Sequence, residues 1–173
     1  MRVSPARIPG VLVGLGITIY SVIHCLLRMT LDLSDHPGAA GTQTLYRAAY
    51  NTDKVGHDNA SEAILYIQHY LDTGIATSSV ILSFSSGVMM VVGASAGGWA
   101  LAGRRGAVGA GVMAALWPLV LFFSILTGVD PLAMGLAWLG VGLSWASMRA
   151  GWFGIPLASV AATVLPIAAS TKQ

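Results

Sequence analysis

Apolar residues run through this chain in long unbroken blocks, not in the alternation of a half-buried strand or the spaced stripe of a soluble helix. A helix that crosses a hydrocarbon core about 30 Å thick needs about 20 mostly apolar residues. Stretches of that kind cover residues 8–27, 75–97, 106–126, 132–148 and 152–169. Short polar or turn-forming segments separate the last four: Gly103-Arg104-Arg105, Thr127-Gly128-Val129-Asp130-Pro131 and Arg149-Ala150-Gly151. The pattern predicts an all-α polytopic membrane protein with about five transmembrane helices, residues 1–173 forming a single membrane domain. Pro156 and Pro166 leave the last block open to a second arrangement, four spans followed by a re-entrant or surface-lying tail. The first block follows Arg2 and Arg7 as the core of a signal peptide would, but no Ala-x-Ala-like cleavage site comes after it, and it is read as a retained helix.

Residues 29–74 break the apolar pattern and form a polar insert between the first and second spans. Its early part, Leu31 to Gly38, is rich in turn formers and closes on Pro37-Gly38. Its later part predicts an amphipathic helix at about 60–71. Asn59 is placed to cap that helix and Glu62 to answer it as a capping box, while Ala60, Ala63, Ile64, Ile67 and Leu71 recur on one face. That face has two natural resting places, the membrane surface or the end of the helix bundle.

Composition sharpens this picture. Of the 173 residues 55% are apolar and 9% charged, against about 25% charged in an ordinary soluble domain. With a mean hydropathy of +0.72, a soluble enzyme and a nucleic-acid binder are excluded. The placement of charge says more than its net value of +2. Only Arg104, Arg105, Asp130, Arg149 and Lys172 are charged beyond residue 72, whereas six of the seven acids fall between Asp32 and Asp72. Five spans would put Arg2, Arg7, Arg104, Arg105 and Arg149 on one side, which the positive-inside rule assigns to the cytoplasm. Residues 29–74 and the C-terminus then face the periplasm of what is read as a bacterial inner membrane.

Candidate chemistry is confined to the first 69 residues, which hold all four histidines: His24, His36, His57 and His69. Tyr20, His24 and Arg28 are spaced four apart on one face of the first span. Ionisable groups in a span face protein or water and mark functional sites by default; His24 could ligate a haem, bond a quinone carbonyl or relay protons. The alternative is that His24 bonds a neighbouring helix and Arg28 snorkels to the interface. Asp53, His57 and His69 offer a carboxylate and two imidazoles, a donor set suited to zinc, copper or iron. Their Asp-x3-His-x11-His spacing resembles that of the copper ligands of particulate methane and ammonia monooxygenases, departing from it by a residue in the second interval and by Gly56 within the first. The resemblance implies copper at that point of the insert, and ordinary loop hydrogen bonding is the plain alternative.

The later spans carry small residues in place of chemistry. Ser83, Ser85, Ser86, Gly87, Gly93, Ser95 and Gly97 follow one another in the second span, and Gly135, Gly140 and Gly142 in the fourth. Small residues let membrane helices approach closely. Gly93-Ala94-Ser95-Ala96-Gly97 also fits the Gly-x-Ser-x-Gly outline of serine hydrolases, but lacks the strand-turn-helix setting, and is read as a packing motif. Trp117-Pro118 reads as a kink with a filled core position. No acid is available within the spans after Asp72 to carry ions, which argues against a self-sufficient ion-coupled transporter.

The sequence therefore points to a small integral membrane subunit or accessory component of a larger membrane protein complex, energy-converting or transporting, without catalytic activity of its own. Its expected partners are the lipid bilayer and other membrane subunits. The alternative is a redox subunit that binds haem, quinone or copper through the His24, His57 and His69 region at the outer membrane face.

Overall fold

The computed structural model describes residues 10–30, 59–72, 74–125 and 129–171. All regular structure among these residues is helical: α1 (Gly10–Thr30), α2 (Asn59–Leu71), α3 (Ile75–Leu116), α4 (Pro118–Ile125), α5 (Val129–Ser147), a short 3₁₀ turn (Gly151–Phe153) and α6 (Gly154–Ser170). Three stretches are long and apolar enough to cross a membrane, Val13–Thr30, Thr77–Leu116 and Gly151–Ser170. The described residues are all-helical and suited to a membrane.

The longest stretch is not one straight rod. Ala102 (φ −131°, ψ 18°) and Gly103 (φ 64°, ψ −143°) leave the helical conformation in the middle of α3. A positive φ costs glycine nothing, which is why the reversal falls at Gly103. A Cβ on Gly98 would strike the carbonyl of Gly106, one on Gly106 the carbonyl of Gly98, and one on Gly111 the hydroxyl of Ser95. In an unbroken helix residues 95 and 111 would lie roughly 24 Å apart. The two arms, residues 75–101 and 104–116, therefore fold back against each other.

The second arm continues into α4 after a break at Trp117, whose extended backbone (φ −68°, ψ 122°) precedes Pro118. Proline is well placed at a first helical position, where its missing N–H has no partner to lose. The kink is as the sequence indicates, but Trp117 does not fill the core: it is 51% exposed, because the non-helical backbone carries it out of the bundle.

Close contacts fix the other helices. Gly16 of α1 faces Val91 of the first arm and Gly111 of the second, so α1 lies in the groove between them. The core there comprises Tyr20, Met90, Val91, Ala114, Ala115 and Val120. On the other flank, α5 runs alongside the first arm: a Cβ on Gly93 would strike the Trp138 carbonyl, and one on Gly142 the Gly93 carbonyl. A Cβ on Gly135 would likewise meet the Ser86 carbonyl, at 2.7 Å. Backbone meets backbone along this seam, and dispersion accumulates as membrane helix packing requires. The Gly93 to Gly97 motif is thus used for packing. Finally α6 returns antiparallel to α5, with Leu165 over Gly140 and Gly154 against the Ser147 carbonyl.

These contacts sort the described charges to two ends. The end where α1 begins holds the reversal with Arg104 and Arg105, and the α5–α6 connection with Arg149. The opposite end holds Arg28 in the last turn of α1, with Asp72 and Asp130. Helix α2 sits there too, its Ile64 buried with Leu82 and Leu132.

Candidate functional site

Tyr20, His24 and Arg28 are brought together, and the first arm of α3 completes the site. Their spacing of four stacks them along one face of α1, and the residue the sequence did not single out is Phe84. The three aromatic rings form a cluster with centroid separations of 5.7 Å (Tyr20–His24), 5.4 Å (Tyr20–Phe84) and 5.2 Å (His24–Phe84). These are ordinary distances for offset and edge-on ring packing. Tyr20 enters a notch that exists because residue 87 is glycine: a Cβ there would overlap the Tyr20 hydroxyl.

The polar atoms are directed to neighbouring helices. Tyr20 Oη donates to the Phe84 carbonyl at 3.2 Å. A phenol has a single proton; with it committed there, the 3.5 Å approach between Tyr20 Oη and His24 Nδ1 requires the imidazole to supply the proton. His24 is 3% exposed and lies inside this ring cluster. One turn on, Arg28 Nη2 donates to Ser83 Oγ at 3.0 Å and to the Ile125 carbonyl at 3.1 Å. Arg28 therefore turns into the protein and does not simply snorkel. Ile125 is the last residue of α4, where carbonyls lack intrahelical partners and the helix dipole favours a cation. A single guanidinium thus joins α1, the first arm of α3 and the end of α4. Ser83 meanwhile donates to the Val80 carbonyl at 3.0 Å, so its hydroxyl accepts and donates at once.

The metal-ligand candidates divide. Asp53 and His57 lie outside the described residues. His69 is exposed near the end of α2, its ring edge-on to Tyr70 at 5.6 Å. Among the described residues no group of three or more His, Cys, Asp or Glu side chains is gathered to hold a metal ion.

The chain matches no family model, no curated protein and no solved structure. What its site can do rests on its own geometry. The rings are packed together, and Tyr20 Oη and Arg28 Nη2 bond to the Phe84 and Ile125 carbonyls and the Ser83 hydroxyl, the arrangement of a lock between helices. Phe84, Ser83 and the Ile125 carbonyl were beyond the reach of sequence spacing, since they lie on α3 and α4 and not on α1. The only forewarning was the run of small residues from Ser83 to Gly87.

Proposed function

We propose that this chain is a five-span integral membrane protein that serves as a mainly structural subunit or accessory component of a larger membrane assembly. The five spans are α1, the two arms of α3 with the second extended by α4, α5 and α6. Placing Arg104, Arg105 and Arg149 beside the start of α1 fits a cytoplasmic N-terminus in a bacterial inner membrane, with residues 29–74 and the C-terminus periplasmic. One observation carries the functional reading: Tyr20 Oη donates to Phe84 and Arg28 Nη2 to Ser83 and Ile125, tying helices to one another, while Arg28 Nε is buried without a hydrogen-bond partner among the described residues. Groups so placed hold a scaffold together.

Mild detergent extraction followed by identification of co-purifying chains tests this. The expected outcome is recovery with stoichiometric membrane partners, and recovery only as a free monomer overturns the assignment. An absorption spectrum and metal analysis of the same sample carry the rival outcome. Bound haem, quinone or copper would make the chain a redox subunit working through the His24, His57 and His69 region.

A further inference from the structure

Helix α2 shows two unlike faces, and the depth at which it docks tells what the second one meets. On one side Ile64 is buried against Leu82 and Leu132, with Ala63 and Ile67 packed beside it. Leu82 lies seven residues into α3, which begins at Ile75, and Leu132 three residues into α5, which begins at Val129. At about 1.5 Å per residue these anchors sit roughly 5–10 Å inside the ends of their helices. A helix resting on the boundary between headgroups and acyl chains buries its apolar side to about that same depth. Connectivity agrees, because α2 ends at Leu71 and α3 starts at Ile75, leaving no length to lift α2 away from the membrane boundary.

Away from Ile64, α2 exposes Tyr66 (65%) and Tyr70 (71%), their rings stacked with centroids 5.2 Å apart; Leu71, exposed at the end of the helix, lies on the Ile64 side. Tyrosine has an apolar body and a polar tip, and it concentrates where a membrane meets water. We propose that the Tyr66–Tyr70 face of α2 is a lipid-contacting surface, seated in the headgroup layer of the outer leaflet while Ile64 anchors the helix to the bundle. The partner is the lipid itself, the zwitterionic headgroup and upper acyl chain.

Site-directed spin labelling of the full chain tests the proposal. Cys25 is the only cysteine, so C25S gives a background for Tyr66→Cys and Tyr70→Cys, each labelled with a nitroxide and reconstituted into phosphatidylcholine vesicles. Both labels should give an oxygen-to-nickel-chelate collision ratio above that of a fully water-exposed nitroxide and below that of one at the bilayer centre, the value expected close to the phosphate plane. A ratio equal to that of a fully water-exposed nitroxide overturns the proposal in favour of water. Shielding from both reagents overturns it in favour of a covering protein segment. Should Tyr66→Cys disturb the helical circular dichroism, Leu71→Cys reads the same depth from outside the ring pair.

Discussion

The first arm of α3 is gripped on two sides, and the two grips are made differently. Against α1 the contact is polar and directional: a phenol to the Phe84 carbonyl, and a guanidinium to Ser83 and Ile125. Against α5 it is backbone on backbone, with Gly93, Gly135 and Gly142 removing side chains so that carbonyls and α-carbons touch. Lipid tails are as apolar as leucine, so burying apolar surface does not by itself draw membrane helices together. What remains is close packing and hydrogen bonding. This chain uses one on each side of the same helix. The polar seam fixes register through a few bonds, each replaceable by relaxation or water. The glycine seam fixes distance through many contacts, none of which can rotate away.

The largest effect should follow from blocking the glycine seam. In Gly142→Val the new Cβ meets the Gly93 carbonyl, and backbone has no rotamer by which to yield. Overpacking costs about 1–3 kcal/mol and occasionally more, and this position belongs at the upper end. Thermal unfolding in mild detergent should show a loss of about 3 kcal/mol, or no folded protein. Gly109→Ala is the control, since a Cβ there meets nothing within 4 Å. It should be neutral or slightly stabilising by virtue of helix propensity. Equal loss in both variants would mean that α5 does not lie where Gly93 and Gly142 place it.

The polar seam should respond more mildly and in graded steps. Arg28→Met removes both bonds to α3 and α4 while keeping an unbranched apolar stem. Ser83 retains its bond to Val80, so the loss is chiefly the Ile125 carbonyl's partner, about 2 kcal/mol for a charged donor. Tyr20→Phe keeps the ring in the Gly87 notch and deletes only the hydroxyl, and interhelical bonds in membranes average about 0.6 kcal/mol with a maximum near 1.7. The order Gly142, Arg28, Tyr20 is the result to check in one unfolding series. A Tyr20→Phe loss exceeding that of Gly142→Val would invert the comparison and make the hydrogen bonds the principal grip.

The helices themselves were legible in the sequence because crossing a bilayer demands long apolar blocks, and the Gly103-Arg104-Arg105 and Trp117-Pro118 interruptions fall where the backbone breaks. Their neighbours were not. In a soluble helix the buried side is marked by an apolar stripe against a polar face. Here exposed Leu15, Val22 and Leu26 are as apolar as buried Met90 and Val91, so no contrast reveals which way a helix turns. Trp117 was misplaced for that reason. The stacking of Tyr20, His24 and Arg28 on one face could be read from their spacing, since that is local geometry. That Phe84 closes the cluster and Ile125 receives the guanidinium depends on tertiary contacts across more than 60 residues, which leave no trace in spacing.

The smallest effect discriminates most finely between smallness and polarity as the reason for serines on the shared arm. Ser83 and Ser86 use their hydroxyls, Ser86 donating back to the Leu82 carbonyl at 2.9 Å. Among the described residues Ser79 Oγ and Ser95 Oγ are buried with no hydrogen-bond partner. A buried hydroxyl left unpaired costs free energy, and an alanine of nearly the same volume has nothing to desolvate. Ser79→Ala and Ser95→Ala should therefore leave stability unchanged or raise it by up to about 1 kcal/mol, while Ser83→Ala loosens Arg28 and lowers it. If Ser79→Ala is instead destabilising by more than that amount in the isolated chain, its hydroxyl has a partner within the chain. If the loss appears only in the extracted complex, the partner lies on another subunit, and the polar seam reaches beyond this chain.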